Sequence, residues 1–262
     1  MKSIGSLSGK VALVTGGGRG VGRAIALELA RAGAAVAITA RTEGELSTVL
    51  GEIHAEGGAA IAVTSDLSRR DEPARVVSQT ADQLGPVDIL VNNAGVGSAI
   101  DPRAVADFSD ATWDLTLAVN LTAPYLLCKA TVPSMIATGW GRVINIASIV
   151  AKIGAVHGSA YAASKGGLVA FTKSLALEVA RNGVTVNAIC PGPVRTAQSD
   201  LRLSQIAAER NIEFAKLEST LTPMGRRLDA NEIAHVALFL AGDQAGGITG
   251  QAWNVDAGTV LS

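Results

Sequence analysis

The sequence predicts a doubly wound α/β fold: a parallel β-sheet with helices on both faces, formed as a single domain over residues 1–262. Three observations carry this expectation. Short apolar runs alternate with longer stretches whose apolar residues recur at mixed three- and four-residue spacing, the pattern of successive βαβ units. A glycine cluster, Gly16 to Gly22, stands where the first apolar run meets the first helical pattern. Apolar residues make up 48% of the chain and charged residues 17%, a balance suited to a sheet covered on both sides, with further surface to bury between subunits.

Taken in order, Val11-Ala-Leu-Val14 reads as the first strand and residues 21–32 as the helix that follows the glycines. The runs at 34–39, 59–63, 87–91, 143–146 and 184–189 read as further strands. Between them, residues 43–56, 70–84, 111–138 and 159–182 carry helix formers at helical spacing. The alternation then breaks at 196–227, where Leu201, Ile206, Phe214, Leu217 and Leu221 are spread through a polar, Ala-rich stretch. This segment is expected to be one or two short helices on a loop. A helix at 231–240 and a strand at 248–255 complete the chain. Right-handed crossovers place the loops at the carboxyl ends of the strands along one edge, where ligands bind in such folds.

Composition excludes several classes. Lys plus Arg total 22 against 23 for Asp plus Glu, and aromatic residues are 3%, so neither a nucleic-acid surface nor an anionic membrane surface is indicated. Cys128 and Cys190 are far apart and lack metal-ligand spacing, so buried thiols are expected and no metal site or disulfide framework. The N-terminus lacks the apolar stretch and cleavage site of a signal peptide, and no apolar run reaches membrane-spanning length. A cytoplasmic protein is the expectation.

Two motifs point to chemistry. Thr15-Gly16-Gly-Gly-Arg19-Gly20-Val21-Gly22 follows a strand and opens a helix; its glycines let the backbone turn tightly and approach a pyrophosphate, whose charge the free amides of the helix N-terminus stabilise. Tyr161-Ala-Ala-Ser-Lys165 lies thirteen residues after Ser148. Residues i and i+4 share a helix face, so the Lys165 ammonium is expected near the Tyr161 phenol, lowering its pKa from about 10. Tyr161 is the candidate acid in reduction and base in oxidation, and Ser148, at the end of a strand, can hydrogen-bond a substrate carbonyl as its oxygen gains charge. A phosphate-binding loop joined to a proton donor is what carbonyl reduction by a nicotinamide cofactor requires. Arg41 follows Ala40 at the end of the second strand, about 24 residues after Gly16, where an acidic residue would select NAD. With Arg19 as a second cation, the expected preference is NADP(H), with NAD(H) as the other reading.

With these motifs the chain resembles the short-chain dehydrogenase/reductase family over nearly its whole length, with a Rossmann-like single domain. Asn92-Asn93-Ala94-Gly95 after the fourth strand, Asn120 in the long helix and Pro191-Gly192 after the sixth strand add to the two motifs above. The resemblance implies that Lys165 also bonds the nicotinamide ribose and relays protons, and that Asn120 holds a water linking Lys165 to solvent. Asn93, Ala94 and Gly95 would lie against the adenine ribose, and Asp66 with the Leu67 amide would bond the adenine, unless Asp66 is only a helix N-cap. Pro191 and Gly192 would pass beneath the nicotinamide, with Val194 and Thr196 on its carboxamide. The family further implies a homotetramer, with the 111–138 and 159–182 helices pairing across a two-fold axis.

The nearest broad resemblance is to 3-oxoacyl and small-ketone reductases, so the expected partner is a small-molecule ketone or alcohol, chosen by segments 98–108, 149–159 and 196–227. Carrier-protein reductases place basic residues where this chain has Gly139 and Asn182, although Arg181 is adjacent, which leaves docking of a carrier open. His157 is read as an exposed or capping residue, with a contact to substrate oxygen as the alternative. Two other functional readings are weighed: a nucleotide-sugar epimerase, which needs a larger C-terminal domain than 262 residues readily allow, and a cofactor-binding regulator without catalysis. The intact Asn120, Ser148, Tyr161 and Lys165 set argues against the second.

Overall fold

The computed structural model describes residues 6–261, so the parts of the N-terminal and C-terminal readings that rest on residues 1–5 and 262 lie outside the described residues. The chain runs β1 (Val11–Thr15), α1 (Gly20–Arg31), β2 (Ala35–Ala40), α2 (Glu43–Ala55), β3 (Ala60–Thr64), α3 (Glu72–Leu84) and β4 (Ile89–Asn92). Next come α4 (Asp110–Leu117), α5 (Ala123–Thr138), β5 (Gly141–Ile146), α6 (Val150–Ile153), α7 (Ser159–Val179) and β6 (Val184–Pro191). The chain ends with α8 (Ala197–Glu209), α9 (Phe214–Ser219), α10 (Ala230–Ala241) and β7 (Ala252–Val255). The strands form one parallel sheet in the order β3-β2-β1-β4-β5-β6-β7.

Side-chain alternation along β1 divides the core. Ala12 and Val14 face the layer of α1 and α10, against Ile25, Leu29, Ile233 and Leu240. Leu13 faces the opposite layer, against Val76 of α3, Leu127 of α5 and Leu175 of α7. Each such side chain contributes about 1.5–3 kcal/mol by leaving water, and truncating the fully buried Leu13 to Ala would cost about 2–5 kcal/mol. After β1 the chain builds outward to β2 and β3, then returns to β4 on β1's other side. The loops leaving β1 and β4 therefore diverge and leave a crevice at the sheet's carboxyl edge.

Four departures from the sequence expectation bear on the site. The expected 111–138 helix is α4 and α5 joined by a π turn, Ala118–Thr122, centred on Asn120; its local bonding depends on what Asn120 meets elsewhere. The segment after Ser148 contains the short α6. The 196–227 stretch holds the thirteen-residue α8 as well as α9; Leu203, Ala207 and Leu217 form its small core, while Leu201 is exposed. The last correction concerns length. Helical residues Asp110–Thr138 are long and apolar enough to cross a membrane by length and composition, which counting unbroken apolar runs misses because Thr, Asn120, Lys129 and two prolines interrupt them. Leu127, Val132 and Met135 of this stretch pack onto the sheet.

Candidate active site

The glycine loop forms because β1 and β4 are tied together beneath it. Thr15 Oγ1 accepts from the Asn93 and Ala94 amides at 3.0 Å each, and Asn93 Nδ2 donates to the Thr15 carbonyl at 2.9 Å and to Gly16 O at 3.2 Å. The Asn93 side-chain amide thus positions the glycine turn. Gly16 and Gly20 have φ of +65° and +54°, conformations that other residues adopt at a cost. A Cβ on Gly22 would fall on the Gly16 carbonyl oxygen, so only glycine lets α1 start this close to β1. No side chain caps the first turn of α1, whose N-terminus offers its amides to an anion.

A cleft of about 390 Å³ opens above this loop. Gly16, Arg19, Gly20, Val21 and Gly22 line its floor, and Asn93, Ala94 and Gly95 one wall. At the far end it is bounded by Arg41, Asp66 and Leu67, with Thr196 over the loop. The bare glycine backbone and the uncapped helix N-terminus fit the pyrophosphate of a dinucleotide. Asp66 is not a helix N-cap: α3 begins six residues later, and Asp66 Oδ1 accepts from the Ser68 amide at 3.1 Å, closing a turn. Arg19 Nη1 lies 3.2 Å from Glu45 Oε1, a carboxylate in the first turn of α2 that also lines the cleft and that the motif reading missed.

Asn120, Ser148, Tyr161 and Lys165 come together beside the cleft. Lys165, 4% exposed, donates from Nζ to the Ile146 carbonyl at 2.7 Å. A Cβ on Gly95 would lie 3.3 Å from Asn120 Oδ1 and 3.6 Å from Lys165 Nζ, so these three residues converge on one point. Asn120 Oδ1 accepts from the Val96 amide at 2.7 Å, and its Nδ2 donates to Val96 O at 2.9 Å and Ser164 Oγ at 3.0 Å. The side chain therefore clamps the loop after β4 onto α7. Sequence reasoning gave no role to Ser164 in this clamp or to Thr15 beneath the glycines, although both stand inside the two quoted motifs.

Burial sets the protonation of the pair, which corrects the expectation that Lys165 lowers the Tyr161 pKa. Burial pushes the Tyr161 phenol up, and its hydrogen bond with Ser148 pulls the other way. Lys165 Nζ sits 5.8 Å from the centre of the Tyr161 ring and is engaged with Ile146, and burial brings its own pKa down to about 8. Ser148 Oγ also accepts from the Val150 amide at 3.2 Å, which orients the hydroxyl.

The segment after β6 is more structural than expected. Gly192 donates to Val255 O at 2.9 Å, and a Cβ there would meet Asp256, so this glycine permits β6 to run close to the chain after β7. Val194 bridges to Leu228, and the Pro193 carbonyl accepts from the Leu228 amide at 2.9 Å. Thr196 forms a reciprocal capping box with Ser199 at the start of α8, which occupies its hydroxyl, while its methyl reaches the Gly20 turn. Pro191, Gly192 and Val194 lie outside the lining of the main cleft. His157 is exposed with φ +56°, and lines a small pocket with Tyr161, Ile100 and Phe108. Both cysteines are buried and unbridged, the Cys128 thiol pushed up to about 12 by burial.

Comparison with known proteins identifies the family. The family model for short chain dehydrogenases matches residues 10–206. A D-beta-hydroxybutyrate dehydrogenase of Rhizobium meliloti is 37% identical over 255 residues, 95% of this chain and 98% of that protein. Among solved structures, an actinorhodin polyketide ketoreductase with NADPH superposes with a TM-score of 0.90 at 36% identity, covering 97% of this chain and 98% of that one. A 3-oxoacyl (acyl-carrier-protein) reductase from Agrobacterium tumefaciens C58 with NADP bound also gives 0.90, at 33% identity over 98% and 97%. Matched along most of its length by the family model and by full-length relatives, this chain belongs to the short-chain dehydrogenase family.

Proposed function

We propose that this chain interconverts a ketone and a secondary alcohol with a nicotinamide cofactor, NADP(H) in preference to NAD(H). It acts as one domain, residues 196–227 meeting the substrate, and works in the cytoplasm as a homotetramer. The observation that carries the chemistry is the Tyr161 phenol, hydrogen-bonded to Ser148 and one helical turn from Lys165, beside a cleft shaped for a dinucleotide. The relatives named as ketoreductase, oxoacyl reductase and hydroxybutyrate dehydrogenase support the same reaction class, and being covered almost end to end they do not favour an epimerase with a larger C-terminal domain.

The bound cofactor would supply or accept the hydride. In reduction, Tyr161 holds its proton through neutral pH because burial disfavours the phenolate, and gives it to the carbonyl oxygen as negative charge develops there. Ser148, oriented by the Val150 amide, donates a hydrogen bond to that oxygen. Lys165, with a pKa of about 8, bonds the ribose and returns a proton toward Tyr161. Asn120 holds the loop at Val96 in place, and by the family resemblance would hold a water that links Lys165 to solvent. Gly16, Gly20, Val21 and Gly22 carry the pyrophosphate, Asp66 and Leu67 the adenine, and Asn93, Ala94 and Gly95 its ribose. Pro191, Gly192, Val194 and Thr196 border the nicotinamide. Arg41 and Arg19 stand where a 2′-phosphate would lie, and Ala40 offers it no opposing charge.

The test is Tyr161→Phe assayed on a panel of ketones by cofactor absorbance. Turnover should fall roughly 10²–10⁴-fold with NADP(H) affinity nearly unchanged. Near-normal turnover would remove Tyr161 as the acid, and equal kcat/KM for NADPH and NADH in the unaltered protein would remove the cofactor preference.

A further inference from the structure

We infer that Glu45 tunes cofactor choice by neutralising Arg19 within the 2′-phosphate end of the cleft, leaving Arg41 as the cation that a phosphate meets. The inference rests on the reading of the cleft as a nicotinamide-dinucleotide site. Arg19, Arg41 and Glu45 all line the cleft, and Glu45 reaches Arg19 directly. The two arginines are not equivalent. Arg19 Nη1 is 3.2 Å from Glu45 Oε1, whereas among the described residues no carboxylate is within salt-bridge distance of Arg41. The carboxylate is the better anchored member of the pair: its side chain is 33% exposed against 72% for Arg19. It rests on the glycine loop, where the position of a Cβ on Gly18 lies 3.0 Å from Glu45 Cβ and 3.4 Å from Oε2. It also sits in the first turn of α2, where the helix dipole favours a negative charge.

The consequence is a subsite with less attraction for phosphate than two arginines would give. A phosphate monoester brings nearly two negative charges, so it must both compete with Glu45 for Arg19 and bear the repulsion of the carboxylate. NAD(H), with a hydroxyl at the same carbon, meets neither penalty. Glu45 thus holds the NADP(H) preference below what the arginines alone would set.

Glu45→Gln keeps the side chain's size and removes its charge. In binding titrations with NADP⁺ and NAD⁺, the ratio of the two Kd values should shift toward NADP⁺ by about 2- to 5-fold, the scale of a solvent-exposed ion pair released onto a charged ligand. NADP⁺ binding should also become more salt-sensitive. Arg19→Ala should weaken NADP⁺ in the unaltered protein, because it bares the Glu45 carboxylate toward the phosphate, and adding Glu45→Gln should recover part of that loss. A Glu45→Gln variant that binds both nucleotides with an unchanged ratio overturns the inference while leaving the dinucleotide site intact. Weaker NAD⁺ with unchanged NADP⁺ also overturns it, by making Glu45 the acceptor for the ribose hydroxyl. Failure of the unaltered protein to bind either nucleotide would instead overturn the reading on which it rests.

Discussion

Lys165 shows how much a single buried residue can shape both chemistry and stability. Its ammonium meets the Ile146 carbonyl inside a 4% exposed site, and burial brings its pKa from 10.5 to about 8. A lysine whose pKa falls on folding destabilises the folded state wherever both states carry the charge, here below about pH 8. Between pH 8 and 10.5 the folded chain releases its proton first, so stability should rise with pH. The full difference corresponds to about 3 kcal/mol. Tyr161 has the opposite sign, its raised pKa removing stability only above pH 10, so the interval from 8 to 10 isolates Lys165. Urea titrations of the nucleotide-free protein should show this rise, and Lys165→Met should abolish it. An unchanged slope in the variant would assign the rise to another group.

At the scale of elements, Arg227 ties together α8 and α9 of the proposed substrate segment. Arg227 is 3% exposed; its guanidinium pairs with Asp200 of α8 at 2.6 Å and with Glu218 of α9 at 2.9 Å, and Nη1 donates to Ser199 Oγ at 2.8 Å. Glu218 is kept below the usual carboxylate range by Arg227 and Arg195. Both acidic partners retain contact with water or with Arg195, so losing Arg227 should cost about 1–3 kcal/mol, less than breaking a fully enclosed pair. Arg227→Met is expected to speed amide exchange across α8 and α9 and to raise KM for the ketone, while exchange in β1, β4 and β5 stays unchanged. Uniformly faster exchange would mean that Arg227 supports the whole fold and not this segment. The π turn belongs to the same scale. Asn120 is completely buried and spends its amide on Val96 and Ser164, so Asn120→Ala would leave the Val96 amide and carbonyl unpaired and loosen the loop at Gly95.

Across the whole molecule, the proposed tetramer must bury the apolar surface that the sheet does not. Leu168, Leu175 and Val179 of α7 are buried within the chain and do not contribute to that surface. The exposed apolar residues of this helix layer are Trp113, Tyr125, Ile136 and Leu177, the last 84% exposed, and Phe239 and Trp253 stack on the opposite layer. Isologous pairing of each face with its copy would generate a closed assembly. Sedimentation at micromolar concentration should give about four times the 26.6 kDa chain mass, and Leu177→Glu should reduce it. A chain that sediments as a monomer would refute the assembly.

The fold and the Tyr161–Lys165 spacing were legible in the sequence because both depend on short-range rules, whereas Asn120 was singled out only by the family resemblance. A strand or helix shows its period within a dozen residues, the glycine spacing reports backbone shape directly, and Tyr161 and Lys165 share a helix face whatever surrounds them. The tertiary structure alone decided what crosses between elements. The pairing of Thr15 and Asn93 spans β1 and β4, the break in the long helix answers to Val96 and Ser164, and Glu45 reaches Arg19 from a different βα unit. It also decided the protonation of the pair, because desolvation depends on everything packed around a group and spacing along the chain records only its neighbours.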